Sequence, residues 1–182
     1  MKIRETPIQD LLILEPKIFK DPRGYFFEIY NQKTFSPLGL DLQFVQDNES
    51  FSNYGTLRGL HFQKGAYAQA KLVRAVQGEI WDVAVDLRAT SPTFGKSFGT
   101  RLSSENKNQF FIPRGFAHGF VVLSESALVC YKCDNFYSPE HEGGIHFADP
   151  DLAVDWIIKP EEIVVSDKDR KNPSFRSIRE QL

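Results

Sequence analysis

Five stretches of the sequence interrupt apolar, strand-like runs with side chains that carry chemistry. DPRGYFFEIY holds Arg23 and Glu28, and FVQDNES holds Gln46, Asp47 and Asn48. LRGLHFQ holds Arg58 and His61 and is followed by Lys71. PRGFAHGF holds His118, and CYKCDNFYSPEHEGG holds Tyr131, Tyr137, His141 and Glu142. An imidazole changes charge near neutral pH, so a histidine can act as a general base. A lysine can stabilise a developing oxyanion, and a tyrosine hydroxyl can donate a proton. A guanidinium can hold phosphate oxygens with two parallel hydrogen bonds.

Singly, each residue has an ordinary structural explanation. Arg58 fits a surface cation at a strand end, and Lys71 a solvated strand start. His61 and His118 fit satisfied histidines, and Tyr131 and Tyr137 fit packed aromatics. Jointly they say more. Tyr131 alternates with Val129 and Cys133, so it shares their face and points inward. Lys71 shares its face with the small residues Val73 and Ala75. A lysine, a histidine and a tyrosine turned into one barrel are costly without a ligand, and open-mouthed barrels hold ligands. Arg58 and His61 resist this picture. They are three apart, so a regular strand sends them to opposite faces. They meet in one site only if one lies at the rim, a bulge intervenes, or a second subunit contributes.

The elements that must position these groups are mostly strands. Lys71 to Arg88 (KLVRAVQGEIWDVAVDLR) is two alternating runs joined at Gln77-Gly78 and reads as a hairpin. Asn108 to Ser124 gives two apolar runs around a Pro-Arg-Gly turn, and Ala127 to Phe136 gives another strand. Gly24 to Tyr30 and Leu42 to Asn48 read as strands too. Helix signals are confined to a turn or two over Gln32 to Leu38 and a short helix in PSFRSIREQL. Many short strands with Gly and Pro turns predict an all-β sandwich or barrel with short peripheral helices.

The chain has 182 residues, which fits one domain over 1–182 with a tail from about 173. Its net charge of −2 and even spread of signs give no phosphate-tracking surface, so no nucleic-acid partner is expected. The N-terminus MKIRETPIQD has no apolar signal region and no run is long enough to span a bilayer, so the expected location is cytoplasmic, away from membranes. Cys130 and Cys133 have C-x-x-C spacing, but on a strand they point to opposite faces, and no second pair exists to complete a zinc site. A metal-dependent barrel enzyme is a weak rival. Gln63 breaks the H-x-H pair after His61, which leaves Glu79 and His118 short of a three-ligand set.

The motifs FKDPRGYFFE, YGTLRGLHFQ, KLVR-VQGEIWDVAVDLR-SPTFG, FIPRGFAHGF, YKCDNFYSPEHEGGI and SDKD resemble those of the dTDP-4-dehydrorhamnose 3,5-epimerases. The likeness runs from about residue 8 to about 172. It implies a cupin-type, jelly-roll β-barrel and a dTDP-linked 4-keto-6-deoxyhexose as substrate. It also implies the roles of individual residues. His61 matches the proton-abstracting base and Asp169 its carboxylate partner, with Asp167 close enough to leave the choice open. Tyr131 matches the general acid, and Lys71 the cation beside the ketone oxygen. Tyr137 matches the aromatic residue that stacks on thymine. Arg23, Glu28, Gln46, Asp47, Asn48, Arg58, His118, Glu142 and Lys168 match substrate-binding positions. The family forms homodimers in which N-terminal strands help build the neighbour's site.

The hydrogens on C3 and C5 of such a sugar are both α to the C4 ketone. No redox cofactor or metal is expected, because the ketone is already present and Lys71 can serve the enolate oxygen. Glu49, Asn53 and the segment HFADP depart from the family's usual pattern, which bears on nucleotide and sugar selectivity. A single-centre epimerase, a ketoisomerase and a non-catalytic binding module are the nearer rivals. Tyr131 speaks for the full reaction, and the complete base, acid and cation set speaks against a binding module.

Overall fold

A computed structural model describes residues 1–181. In chain order the strands are β1 (Lys2–Glu5), β2 (Leu12–Glu15), β3 (Phe19–Asp21), β4 (Gly24–Phe26), β5 (Gln46–Asn53), β6 (Leu57–Gln63) and β7 (Lys71–Gln77). They continue with β8 (Glu79–Asp86), β9 (Ser97–Ser103), β10 (Gln109–Ile112), β11 (Phe116–Val122), β12 (Ser126–Cys133) and β13 (Glu142–Gly144). The helices are single turns: α1 (Gln32–Phe35), α2 (Asp167–Arg170) and α3 (Phe175–Ile178). None is long and apolar enough to cross a membrane among the described residues.

Two sheets face each other. One has six strands in the order β1-β2-β10-β7-β12-β5, and the other has five in the order β13-β6-β11-β8-β9. All pairs within the sheets are antiparallel. This is the jelly-roll barrel expected from the sequence. Residues from both sheets interlock between them, including Val73, Ala75 and Val129 from the first and Ile80, Ala84 and Phe120 from the second. A second cluster covers the outer face of the five-stranded sheet, where Trp156 and Phe175 lie over Val83, Val85 and Val121. Both faces of β11 are therefore buried, which explains an apolar run interrupted by one ionisable residue, His118. A third cluster packs Phe35 of α1 against Leu72 and Phe111 on the outside of the other sheet.

The Lys71–Arg88 run is not a hairpin. Its halves, β7 and β8, are consecutive but lie in opposite sheets, and the chain crosses at Gly78 with φ of +73°. Alternation identifies strands and a turn but not pairing partners, and β7 is already flanked by β10 and β12. The segment Gly24–Tyr30 is a strand only over β4, and Leu42–Asn48 only from Gln46 onward. Phe27 to Tyr30 instead run along the outside of the six-stranded sheet, where Tyr30 meets Phe35 and Phe44 edge-on.

The inward faces of the strands change character along their length. On β7 they run from Ala75 and Val73 in the core to Lys71, and on β12 from Ala127 and Val129 to Tyr131. One end of the barrel is thus filled with apolar side chains and the other is lined with polar ones.

Candidate active site

The position of Arg58 and His61 follows from an irregularity in β6. Across β11, His118 faces His61 while Phe120 faces Arg58, so two residues of β11 span three of β6. This bulge turns Arg58 and His61 to the same side. It is built at Gly59, whose φ is +143° and which packs directly on the backbone of Gly119. A side chain at Gly59 would collide with Gly119 and with the His118 carbonyl. Of the alternatives that the three-residue spacing leaves open, the bulge is the one observed.

Arg58, His61, Lys71, His118, Tyr131, Lys168 and Asp169 line one cavity of about 670 Å³. A smaller recess of about 220 Å³ continues from it past Gln46, Asn48, Tyr137 and Glu142. His61 and His118 come from the five-stranded sheet, and Lys71 and Tyr131 from the six-stranded one. The two groups therefore face each other across the space between the sheets.

His61 Nε2 is 2.7 Å from Asp169 Oδ1. With the carboxylate accepting from Nε2–H, Nδ1 keeps the lone pair that a base needs. Asp169 is held by its surroundings. Its backbone amide donates to Ser166 Oγ, the N-cap of α2, and its second oxygen accepts from Gly59 N–H. The helix turn buries Asp169 at 4% exposure, whereas Asp167 is exposed and makes no bond to His61, so the histidine's partner is Asp169.

Burial pushes the Tyr131 hydroxyl above its ordinary value, so the residue keeps its proton. Burial also pulls the Lys71 amine down, opposed by the nearby Cys133, Asp82 and Glu142. Lys71 makes no hydrogen bond or ion pair with its side chain among the described residues, which leaves its amine available to the cavity. His118 Nε2 lies 2.8 Å from Asp82 Oδ1, deep in the wall.

At the mouth, Glu142 accepts from Tyr137 Oη at 3.0 Å and from Lys168 Nζ at 2.6 Å. Burial pushes the Glu142 carboxyl up, but these two donors outweigh it and hold it below its ordinary range. Gln46 accepts from Tyr137 N–H and donates to Asn48, so the two residues form one rim with Tyr137.

Three sequence candidates lie elsewhere in the subunit. Asp47 is on the outward face of β5 and pairs with Lys132 at 2.7 Å, because alternation that turns Gln46 and Asn48 inward turns Asp47 out. Glu28 lines the same outer groove of about 630 Å³ and bonds to Asn31 and Thr34. Arg23 sits on the turn between β3 and β4, where it bonds to Asp21 at 2.6 Å. The remaining metal-ligand candidates do not converge: Glu79 pairs with Arg101, while His118 bonds Asp82 between the sheets. Cys130 and Cys133 face Glu49 and Asn48 respectively, on opposite sides of β12, and burial pushes the Cys133 thiol up to about 11.

Asp82, bonded to His118, and Ser166, which caps the turn that carries Asp169 and lines the cavity, are residues at the site that sequence reasoning missed. The signal for Asp82 was present: an acid in EIWDVAVD that alternates with Ile80 and Ala84 on an inward face. Ser166 carried only the generic sign of a helix N-cap.

The model for the dTDP-4-dehydrorhamnose 3,5-epimerase family matches residues 5–177. A dTDP-4-dehydrorhamnose 3,5-epimerase of Shigella flexneri is 52% identical over 176 residues, 96% of this chain and 96% of its own. The crystal structure of dTDP-4-dehydrorhamnose 3,5-epimerase from Elizabethkingia anophelis is similar with a TM-score of 0.94 and 58% identity, covering 97% of each chain. That of dTDP-6-deoxy-D-glucose-3,5-epimerase from Legionella pneumophila, in complex with dTDP-4-keto-L-rhamnose, has a TM-score of 0.93 and 49% identity, covering 97% of this chain and 94% of its own.

Proposed function

This chain belongs to the dTDP-4-dehydrorhamnose 3,5-epimerase family, and we propose that it converts dTDP-4-dehydro-6-deoxy-D-glucose to dTDP-4-dehydro-L-rhamnose by moving protons at C3 and C5. The observation that carries the mechanism is the placement of His61 and Tyr131 in one cavity but on opposite sheets. Inversion at carbon needs a base on one face and an acid on the other, and a cavity between two sheets supplies two faces.

His61 takes the proton α to the ketone, and Asp169 fixes its ring and stabilises the imidazolium that results. The charge left behind moves to the C4 oxygen as an enolate. Lys71 and His118 serve that oxygen, the lysine as a cation whose desolvated surroundings strengthen its attraction. Tyr131 returns a proton from the other side. Its hydroxyl is suited to this because burial keeps it protonated. Arg58 anchors the diphosphate; its Nε donates to Ser52 Oγ at 3.0 Å, which orients the guanidinium. Tyr137 stacks on the thymine, with Gln46, Asn48, Glu142 and Lys168 around it.

The functional unit in this reading is a homodimer. Phe19, Tyr25 and Phe26 are each more than half exposed on the β3–β4 hairpin, an apolar arm that a second subunit would cover. Such an arm reaches a neighbour's site and carries Arg23 to its substrate, with Glu28 just past the end of β4.

Purified protein is to be incubated with dTDP-4-dehydro-6-deoxy-D-glucose and the product trapped by borohydride reduction. An L-rhamno sugar is the expected result, and a product inverted at one carbon only would replace the reading with a single-centre epimerase. Sedimentation of the Tyr25→Ser, Phe26→Ser variant is expected to give monomer with weakened substrate binding; an unaltered dimer that binds normally would remove the arm from the site.

A further inference from the structure

Behind the cavity wall is a carboxylate that the mechanism above does not use. Asp82, on β8, is 0% exposed. Its Oδ1 meets His118 Nε2 at 2.8 Å, and its Oδ2 is buried with no hydrogen-bond partner among the described residues. An acid so placed is costly to a fold. Asp86, two turns of alternation further along the same strand, shows what a structural acid needs. It is equally buried but accepts five bonds, from Arg88, Ser91 and Thr93.

The groups around Asp82 are those that face the substrate. His118 of β11 bonds to it, and Lys71 of β7 attracts it from the opposite sheet. Thr100 of β9 lies opposite it in register, and Phe120 of β11 closes the apolar side. His61 of β6 acts on His118, and Cys133 of β12 and Glu142 of β13 act on Lys71. Lys71 has no hydrogen-bonded counter-ion of its own among the described residues. Asp82 is the fully buried acid in its neighbourhood.

We propose that Asp82 is a positioning residue of the reaction: its Oδ1 fixes the ring of His118 in the cavity wall, and its unshared oxygen supplies the negative charge that keeps Lys71 an ammonium beside the C4 oxygen. The inference rests on the epimerase reading. Burial works against charge on all three groups, pulling Lys71 and His118 down and pushing Asp82 up; Asp82 is the group that favours charge on both Lys71 and His118, whereas Lys71 opposes charge on His118. A lysine and an aspartate that compensate each other without a direct bond leave the ammonium free to turn to an enolate as it forms.

Asp82→Asn keeps the size and the acceptor for His118 but removes the charge. Expected is a fall in kcat of about tenfold or more with KM within about threefold. The alkaline limb of kcat, where Lys71 loses its proton, is expected to move to lower pH by about one unit. Unchanged kcat with an unmoved limb would overturn the proposal, as would a fall in kcat matched by a lowered Tm with the limb in place. Should this variant fail to fold, the wild-type enzyme decides by NMR of its ¹³C-labelled lysines, with Lys71→Met assigning the signal. An ammonium at neutral pH supports the proposal and a neutral amine overturns it. Wild-type protein that does not turn over the substrate would count against the epimerase reading, and the lysine titration would still report on Asp82.

Discussion

His61–Asp169 and His118–Asp82 are two histidine–aspartate pairs whose histidines lie directly opposite each other on neighbouring strands. Their bond lengths are nearly equal, 2.7 and 2.8 Å, but their surroundings differ. The His61 side chain is 32% exposed and borders the cavity, while the carboxylate behind it uses both oxygens. The His118 side chain is 8% exposed, and the carboxylate behind it leaves one oxygen unshared. A base has to reach its carbon and exchange its proton, which needs access. A group that steadies charge has to stay dry and keep field to spare. In the proposed mechanism, access and the count of carboxylate bonds, rather than residue type, divide the two roles.

The largest effect that separates the pairs is expected from His61→Ala. It removes the base, and turnover should fall by about 10³–10⁴-fold with the fold intact by circular dichroism; comparable turnover would pass the role of base to His118. Tyr131→Phe is expected next. It should leave deuterium exchange at one carbon and block complete epimerisation, and a normal product would remove Tyr131 as the acid. Asp169→Asn should cost about 10²-fold in kcat, since it frees the ring of His61 and withdraws the charge that supports the imidazolium. An effect smaller than that of Asp82→Asn would reverse the ranking of the two pairs.

The smallest effects concern stability, and here the two buried acids of β8 should part. Burial raises the Asp86 carboxyl, but Arg88, Ser91 and Thr93 outweigh it and hold the group at about 2, below its ordinary 3.8. The stabilisation is present above the ordinary value and is lost as pH falls through about 2. Asp86→Asn should therefore cost on the order of 2 kcal/mol at neutral pH, read by urea unfolding. Asp82 is shifted the other way, so its ionised form opposes folding at neutral pH. Asp82→Asn should leave the urea midpoint unchanged or raise it. A large loss there would make Asp82 a structural acid like Asp86.

Much of this site could be read from the sequence because strand alternation is a local property. The inward turn of Lys71 with Val73 and Ala75, and of Tyr131 with Val129, follows from spacing alone. The opposite faces of Cys130 and Cys133 follow in the same way. What failed were properties that need a partner strand. Nothing local in the Gln77-Gly78 corner says that β7 and β8 belong to different sheets. The bulge that unites Arg58 with His61 depends on Gly59 meeting Gly119 of another strand, although both glycines stand beside the residues they position. The resemblance groups Asp47 with Gln46 and Asn48, but within the subunit alternation turns its side chain to the outer face of β5. The inward turn of Asp82 was legible from its alternation with Ile80 and Ala84, but its partner His118 lies on another strand and was not.

In the proposed mechanism a base on one sheet and an acid on the other act on the two carbons beside a single ketone. Proton NMR of dTDP-4-dehydro-6-deoxy-D-glucose with the enzyme in D₂O tests it directly. Deuterium is expected at both C3 and C5 with wild-type protein, and no exchange at either carbon with His61→Ala. Exchange at both carbons that survives the loss of His61 would contradict it.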